Sequence, residues 1–229
     1  MIGIIGAMPE EISTILKEMK NLIEVKTKIR TFYQGTISNH DCVIALAGIG
    51  KVNAAITTSI LIEQFHVDTI INIGVAGGVN GVKHKDVVIS KEVLYHDVDV
   101  SKFGSYVPGQ IPGSEPLFYA DKSLLEKTTK ILKDQSIDFK VGKIASGDQF
   151  VYQSSKIEGV NGLYTDIYAV EMEAAAIAHT ATLYQIPFII YRSISDLLDD
   201  EDQHNDFNLF LHDASEKATI VLKELIKNL

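Results

Sequence analysis

The chain opens on a continuous apolar run, Ile2 to Ala7, and then changes rhythm, with apolar residues spaced helically from Pro9 to about Met19. The first pattern predicts a strand buried on both faces; the second predicts a helix with proline near its start. Polar and apolar residues alternate between Ile23 and Asn39, as in a strand pair, and Asn39-His40-Asp41 predicts a turn into a strand over Cys42 to Ala47. Gly48-Ile49-Gly50 ends that strand, and Lys51 to Phe65 reads as an amphipathic helix. Asp68 to Ile73 is a β-branched run, which the glycines of Gly74 to Gly78 are expected to terminate as a tight turn. Asp86 to Tyr95 is another strand. His96 to Glu115 has no period and contains Gly and Pro, which predicts a long loop of the kind that often carries function. The pattern then predicts a helix over Lys122 to Gln135, a strand over Phe139 to Ala145 and a loop through Gly159. A strand over Ile167 to Val170, a helix over Glu171 to Tyr184 and a strand over Pro187 to Ile194 follow, and the last helix runs from about Phe207 to Lys227.

Strands apolar on both faces, alternating with helices, predict an α/β fold of three layers, α/β/α, around a central sheet. The 229 residues suffice for a sizeable core, and no linker-like composition or internal repeat divides them, so residues 1–229 are expected to form one domain. Composition narrows the function classes. With 46% hydrophobic and 22% charged residues the chain is of globular rather than disordered type. A net charge of −9 with scattered Lys and Arg argues against nucleic acid as a partner. No apolar stretch reaches membrane-spanning length, and the first residues lack the basic segment of a signal peptide. The single cysteine, Cys42, lies in an apolar run; a reduced, cytoplasmic setting is the expectation.

Three acidic positions stand at the ends of apolar elements: Glu10-Glu11, Glu171 and Glu173 within Ala169-Val-Glu-Met-Glu-Ala-Ala-Ala176, and Asp196 in Arg192-Ser-Ile-Ser-Asp196. Each has an ordinary explanation, as a helix-dipole partner or an N-cap. Carboxylates beside buried apolar runs are costly, however, and their joint placement at strand–helix junctions points to one acidic pocket. The segment Gly74-Val-Ala-Gly-Gly78, with Ala76 and Gly77, sits at the carboxyl end of a buried strand, where α/β sheets place ligands. Gly48-Ile-Gly-Lys51 lacks the Walker spacing and Gly3-Ile-Ile-Gly6 the dinucleotide spacing, so neither is read as a phosphate loop. His96-Asp-Val-Asp99 is read as a solvated or interfacial loop rather than a metal site, and His179 as a core or partner-facing residue.

The motifs Ile2 to Glu11, Gly48-Ile-Gly-Lys-Val-Asn-Ala-Ala55, Ser146-Gly-Asp-Gln-Phe150, Val170-Glu-Met-Glu-Ala174 and Ser195-Asp196 follow in an order that resembles the bacterial 5′-methylthioadenosine/S-adenosylhomocysteine nucleosidases, of the nucleoside phosphorylase-like superfamily. The resemblance spans essentially the whole chain. It implies a central twisted mixed sheet flanked by helices, a homodimer, and no metal or organic cofactor. It also implies hydrolysis of the N-glycosidic bond to adenine and a thioribose, as in methionine salvage and methyl-cycle recycling. By motif, Asp196 resembles the group that protonates adenine N7, with Ser195 fixing it, and Glu11 the group that activates water, with Arg192 orienting that water. Glu173 matches the acceptor of the ribose hydroxyls, Met172 the residue against the sugar, Phe150 the stacking partner of adenine, and Val151 the backbone that reads its edge. Glu171, Ala76 and Gly77 belong to the same substrate-binding set. Met8, Ile49 and Phe207 match the wall around the alkylthio group, and Val100, Phe103 and Pro112 the segment that closes the partner subunit's pocket. The chain departs from the family pattern at Val75, where serine is usual, at Ser193, where alanine is usual, and at Ser105, where an aromatic residue is commoner.

This chemistry needs a proton for the departing adenine, a base for water on the opposite face and a carboxylate near the developing positive charge on the ribose. Two other function classes use the same residues differently. A nucleoside phosphorylase would need cationic donors for phosphate where this chain offers Glu10 and Glu11. A non-catalytic nucleoside-binding protein would hold ligand without turnover; a redundant structural subunit, using the residues for neither, is favoured only if Val75 abolishes catalysis.

Overall fold

The computed structural model describes residues 1–200 and 203–229, and for 203–212 the helical backbone alone. The first half of the chain forms β1 (Ile2–Gly6), α1 (Pro9–Lys17), β2 (Lys20–Lys26), β3 (Thr31–Ile37), β4 (His40–Leu46), α2 (Lys51–Phe65), β5 (Thr69–Gly78) and β6 (Val87–Tyr95). After the long loop come β7 (Phe118–Tyr119), α3 (Lys122–Asp134), β8 (Phe139–Ser146) and, behind a 3₁₀ turn, the short α4 (Glu158–Asn161). The chain finishes with β9 (Ile167–Glu171), α5 (Ala174–Leu183), β10 (Phe188–Leu197) and α6 (Gln203–Lys227).

All the strands join one mixed sheet, in the order β10-β6-β8-β9-β5-β1-β4-β3-β2 with β7 on β6. Successive residues of the central strands face opposite layers. Ile4, Ile71 and Ile189 pack with α1, α3 and α6 through Ile12, Leu132 and Val221, whereas Ile5, Ile70 and Ile190 pack with α2 and α5 through Leu61, Ala174 and Ala178. The expected three layers are therefore present. A third cluster, around Val151, Ile157 and Val160, lies under β8 and β9. Among the described residues no helix is long and apolar enough to cross a membrane.

Two features were not expected from the pattern. β10 also pairs with β5, so β5, β10, β6, β8 and β9 close into a ring at one end of the sheet. And the glycines from Gly74 to Gly78 are not a turn: β5 runs straight through them, pairing in parallel with Arg192 to Leu197 of β10. Glycine-rich sequence reads locally as a breaker, but here the neighbouring strands supply the hydrogen bonds and the missing side chains make room. A Cβ on Gly78 would stand 2.6 Å from Val82 and 2.7 Å from Ile194.

The same strand creates the crevice. Along one edge β5 pairs with β1 from Thr69 to Asn72, and from Gly77 onward it pairs instead with β9. Between these pairings β1 and β9 diverge, which is the switch-point geometry that opens a ligand cleft at the carboxyl ends of α/β strands.

Candidate active site

Each acidic group reaches this cleft by a separate local device. Glu11 stands in the first turn of α1, and Pro9 opens that helix. Gly6 lets the helix lie directly on β1, since a Cβ there would be 2.5 Å from Ile12. The Glu11 carboxylate reaches back over its own helix start: the N–H groups of Ala7 and Met8 donate to Oε2 at 2.7 and 3.0 Å, and that of Val75 donates to Oε1 at 3.1 Å. The reach from the third helical residue back to the Met8 N–H is half of a capping box. Burial raises the Glu11 pKa above the ordinary carboxylate range, against the lowering effects of Arg192 and these three N–H groups. The result is a fixed carboxylate with enhanced proton affinity, suited to a base.

Glu171 was expected inside a helix, but it is the last residue of β9. Its register partner on β8 is Ser146, whose hydroxyl donates to it in a short hydrogen bond. The carboxylate then caps the start of α5, accepting from the Glu173 N–H at 2.9 Å and the Ala174 N–H at 2.9 and 3.1 Å. Arg192 completes its shell, with Nη2 donating to Glu171 Oε2 at 2.7 Å and to Asn72 Oδ1 at 2.7 Å. Burial alone would raise the Glu171 pKa; Arg192, Ser146 and the Glu173 N–H outweigh it and hold the group ionised below its usual range.

Glu173 is the N-cap residue of α5 and takes the other role. Among the described residues the Gly50 N–H alone donates to it, at 2.7 Å. Burial, together with the fixed negative charge of Glu171, pushes its pKa up to about 8. Two glutamates two residues apart thus differ in charge at neutral pH, because the arginine serves one of them.

Asp196 lies within β10, not at a helix cap. The pairing of β10 with β5 shifts register between Ile194 and Asp196, so Ser195 forms a bulge. A bulge turns the following side chain relative to the strand, and such irregularities are common beside active sites. Asp196 is buried, and the Ser195 hydroxyl donates to its Oδ1 at 2.5 Å.

These groups share one cavity that opens to solvent, about 590 Å³ with the solvent space at its mouth included. Glu11, Glu171, Glu173 and Asp196 line it together with Ser195, Met172 and the β5 segment Val75, Ala76 and Gly77. Met8 and Ile49 form an apolar part of the wall, and Phe150 and Val151 another, with Phe150 half exposed. The residues predicted for the chain's own site therefore converge, except Arg192 and Phe207. Arg192 does not reach the cavity; it is 2% exposed and turned towards Glu171 and Asn72, so any effect on water passes through the charges it holds. Val100, Phe103 and Pro112, assigned by the resemblance to the partner subunit's pocket, lie on the long loop outside this chain's own cavity, with Phe103 exposed. The side chain of Phe207 lies outside the described residues.

Four contributors were missed. Asn72 left a signal, a lone amide in the β-branched run from Asp68 to Ile73, and Ser146 stood in a recognised motif without a role. Gly50 and Gln149, which also lines the cavity, likewise stood in recognised motifs without a role. The segment from His96 to Asp99 proves to be ionic packing: Lys51 Nζ lies 2.6 Å from Asp97. His179 stacks on Phe118 at 4.6 Å and bonds the Tyr95 hydroxyl, as a core histidine would.

The Phosphorylase superfamily model matches residues 1–227. The 5′-methylthioadenosine/S-adenosylhomocysteine nucleosidases of Oceanobacillus iheyensis and Staphylococcus carnosus are each 41% identical to this chain, over all of it and over 99% and 100% of their own lengths. The crystal structure of the corresponding nucleosidase from Neisseria meningitidis, in complex with methylthio-immucillin-A, is similar at a TM-score of 0.94 and 38% identity, covering 100% of this chain and 99% of that one.

Proposed function

From a chain that belongs to the 5′-methylthioadenosine/S-adenosylhomocysteine nucleosidases of the Phosphorylase superfamily, we propose an enzyme that hydrolyses the N-glycosidic bond of those two nucleosides, releasing adenine and the thioribose. The observation that carries this reading is that Glu11 and Asp196, from opposite ends of the sequence, line one cavity with Glu173. Asp196, steadied by Ser195, delivers a proton to adenine N7 as the bond to the ribose breaks. Glu11 takes a proton from the attacking water; its raised proton affinity and its anchoring by three N–H groups suit that step. Glu173 and Met172 hold the ribose. Positive charge growing on the sugar favours the ionised form of Glu173, so that attraction is strongest in the transition state, where it accelerates the reaction. Phe150 and Val151 hold the base.

Water rather than phosphate is the second reactant, because the cavity's charged lining is carboxylic and Arg192 is already paired with Glu171. The working unit is one domain over residues 1–229, in a cytoplasmic homodimer that serves methionine salvage. Exposed Val52 on α2, Leu183 on α5 and Phe103 on the long loop support an apolar face covered by a second copy, with the loop closing that copy's pocket.

The test is adenine release from both nucleosides in phosphate-free buffer, for the wild type and for Asp196→Asn. The variant should lose about a hundredfold or more in turnover, since an amide delivers no proton. No adenine above blank from the wild type sinks the proposal, and release that requires phosphate reassigns the chain to phosphorolysis.

A further inference from the structure

Beyond Met8 and Ile49 the reaction cavity adjoins a second, wider groove of about 1070 Å³; Ala7, Met8 and Ile49 line both. Its lining differs in character. Arg30, Thr31, Tyr33 and Asn53 bring a cation, hydroxyl groups and an amide to a wall otherwise built of Ile29, Leu46 and Gly48.

Arg30 is the unusual member. It stands just before β3, and its Nη2 donates to Asn53 Oδ1 in a short hydrogen bond. Asn53 in turn donates from Nδ2 to the Ile49 carbonyl at 2.6 Å, which ties the guanidinium to the residue shared by the two cavities. Gly48, at φ +79°, makes the close approach possible, because a Cβ there would lie 3.2 Å from Arg30 Nη1. The guanidinium is thus oriented, but among the described residues it makes no ion pair, and its Nε is buried without a hydrogen-bond partner. An oriented arginine with unused donors has a planar fork that matches a carboxylate, and buried donors left unmet are costly enough to call for an acceptor.

We propose that Arg30 is a specificity-determining residue that binds a carboxylate at the far end of the substrate's 5′ substituent, with the groove beyond Met8 and Ile49 as the subsite for that tail. The inference rests on the nucleosidase reading of the adjoining cavity. S-adenosylhomocysteine carries such a carboxylate and methylthioadenosine does not, so Arg30 contributes to one substrate only.

The experiment compares wild type, Arg30→Gln and Arg30→Lys on three nucleosides: S-adenosylhomocysteine, methylthioadenosine and 5′-deoxy-5′-(3-aminopropylthio)adenosine, which keeps the tail and its amine but lacks the carboxylate. Arg30→Gln is expected to lower kcat/KM for S-adenosylhomocysteine by about tenfold to a hundredfold, mainly through KM. Arg30→Lys should fall between, and the other two substrates should move by less than about threefold, well short of the loss expected of a charge-assisted hydrogen bond. Equal losses on all three substrates would mean that Arg30 only braces Asn53 and Ile49, and an unchanged value for S-adenosylhomocysteine would mean that it binds nothing; either result overturns the proposal. If the wild type cleaves none of them, the nucleosidase reading fails by itself. Calorimetric affinities of wild type and Arg30→Gln for S-adenosylhomocysteine and the aminopropyl nucleoside then decide the Arg30 assignment by the same contrast.

Discussion

Replacing Glu173 by glutamine should flatten the loss of stability between pH 4.5 and 8 while removing activity. Glu173 is 7% exposed, and its pKa is raised from 4.5 to about 8 by burial and by the neighbouring charge of Glu171. The native state therefore keeps a proton there that the unfolded chain has already released. Between pH 4.5 and 8 the native state binds more protons than the unfolded state, so stability must decline across that window. The contribution is fully present below 4.5 and lost as pH rises through 8. At about 1.36 kcal/mol for each pH unit the interval sets a ceiling of about 5 kcal/mol, of which coupling to Glu171 leaves a few. Glutamine still accepts from the Gly50 N–H but does not titrate. Thermal melts of both proteins from pH 5 to 9 isolate the effect, because Glu11 and every other titrating group is common to the pair. For a chain of this size each kcal/mol is worth about 2–4 °C, so the variant should gain about 5 °C or more on the wild type across the range. Parallel curves would show that Glu173 is ionised in the folded protein at neutral pH, and the charge assignment of the site would have to be redrawn.

Two further substitutions probe the base. Glu11→Gln should cost about 10²–10⁴-fold in single-turnover hydrolysis while leaving calorimetric affinity for methylthioadenosine within a few-fold, and near-wild-type rates would remove Glu11 from the mechanism. Gly74→Ala puts a Cβ 2.6 Å from Glu11 Oε1 and 3.1 Å from Arg192 Nη1 at a backbone conformation alanine accepts. It should lower turnover more than tenfold for about 1–3 kcal/mol of stability, and an unchanged kcat would show that the carboxylate tolerates displacement.

The helices and most strands were legible because their signals are local: Lys51 to Phe65 is helix over its whole predicted length, and the layers follow from strands apolar on both faces. The site residues were legible where motifs carried them. What escaped depends on partners distant in sequence. The Gly74 to Gly78 segment reads as a breaker until β10 and β9 are placed beside it, and Glu171 reads as helix until β8 claims it as a strand residue. Arg192 was legible as a site residue but not in direction, since its acceptors, Asn72 and Glu171, come from 120 and 21 residues away. Arg30 left no motif; only its groove and its unmet donor mark it.

One buried arginine explains how carboxyl groups in a single cavity come to have different tasks. Left alone, Glu11, Glu171 and Glu173 would all be driven towards protonation by burial, and the site would hold no fixed anion. Arg192 breaks that symmetry by position. It pairs directly with Glu171, which stays ionised, while Glu11 and Glu173 feel it without a hydrogen bond and keep raised proton affinities. The charged Glu171 then reinforces the proton on Glu173 and fixes the start of α5, from which Glu173 and Met172 face the cavity. The guanidinium itself needs a matching frame, and Asn72 and the absent Cβ of Gly74 provide it. Pairing an arginine with only one of several acids is therefore what separates a fixed structural anion from the two carboxyls that keep a raised proton affinity here, and it does so from outside the cavity lining.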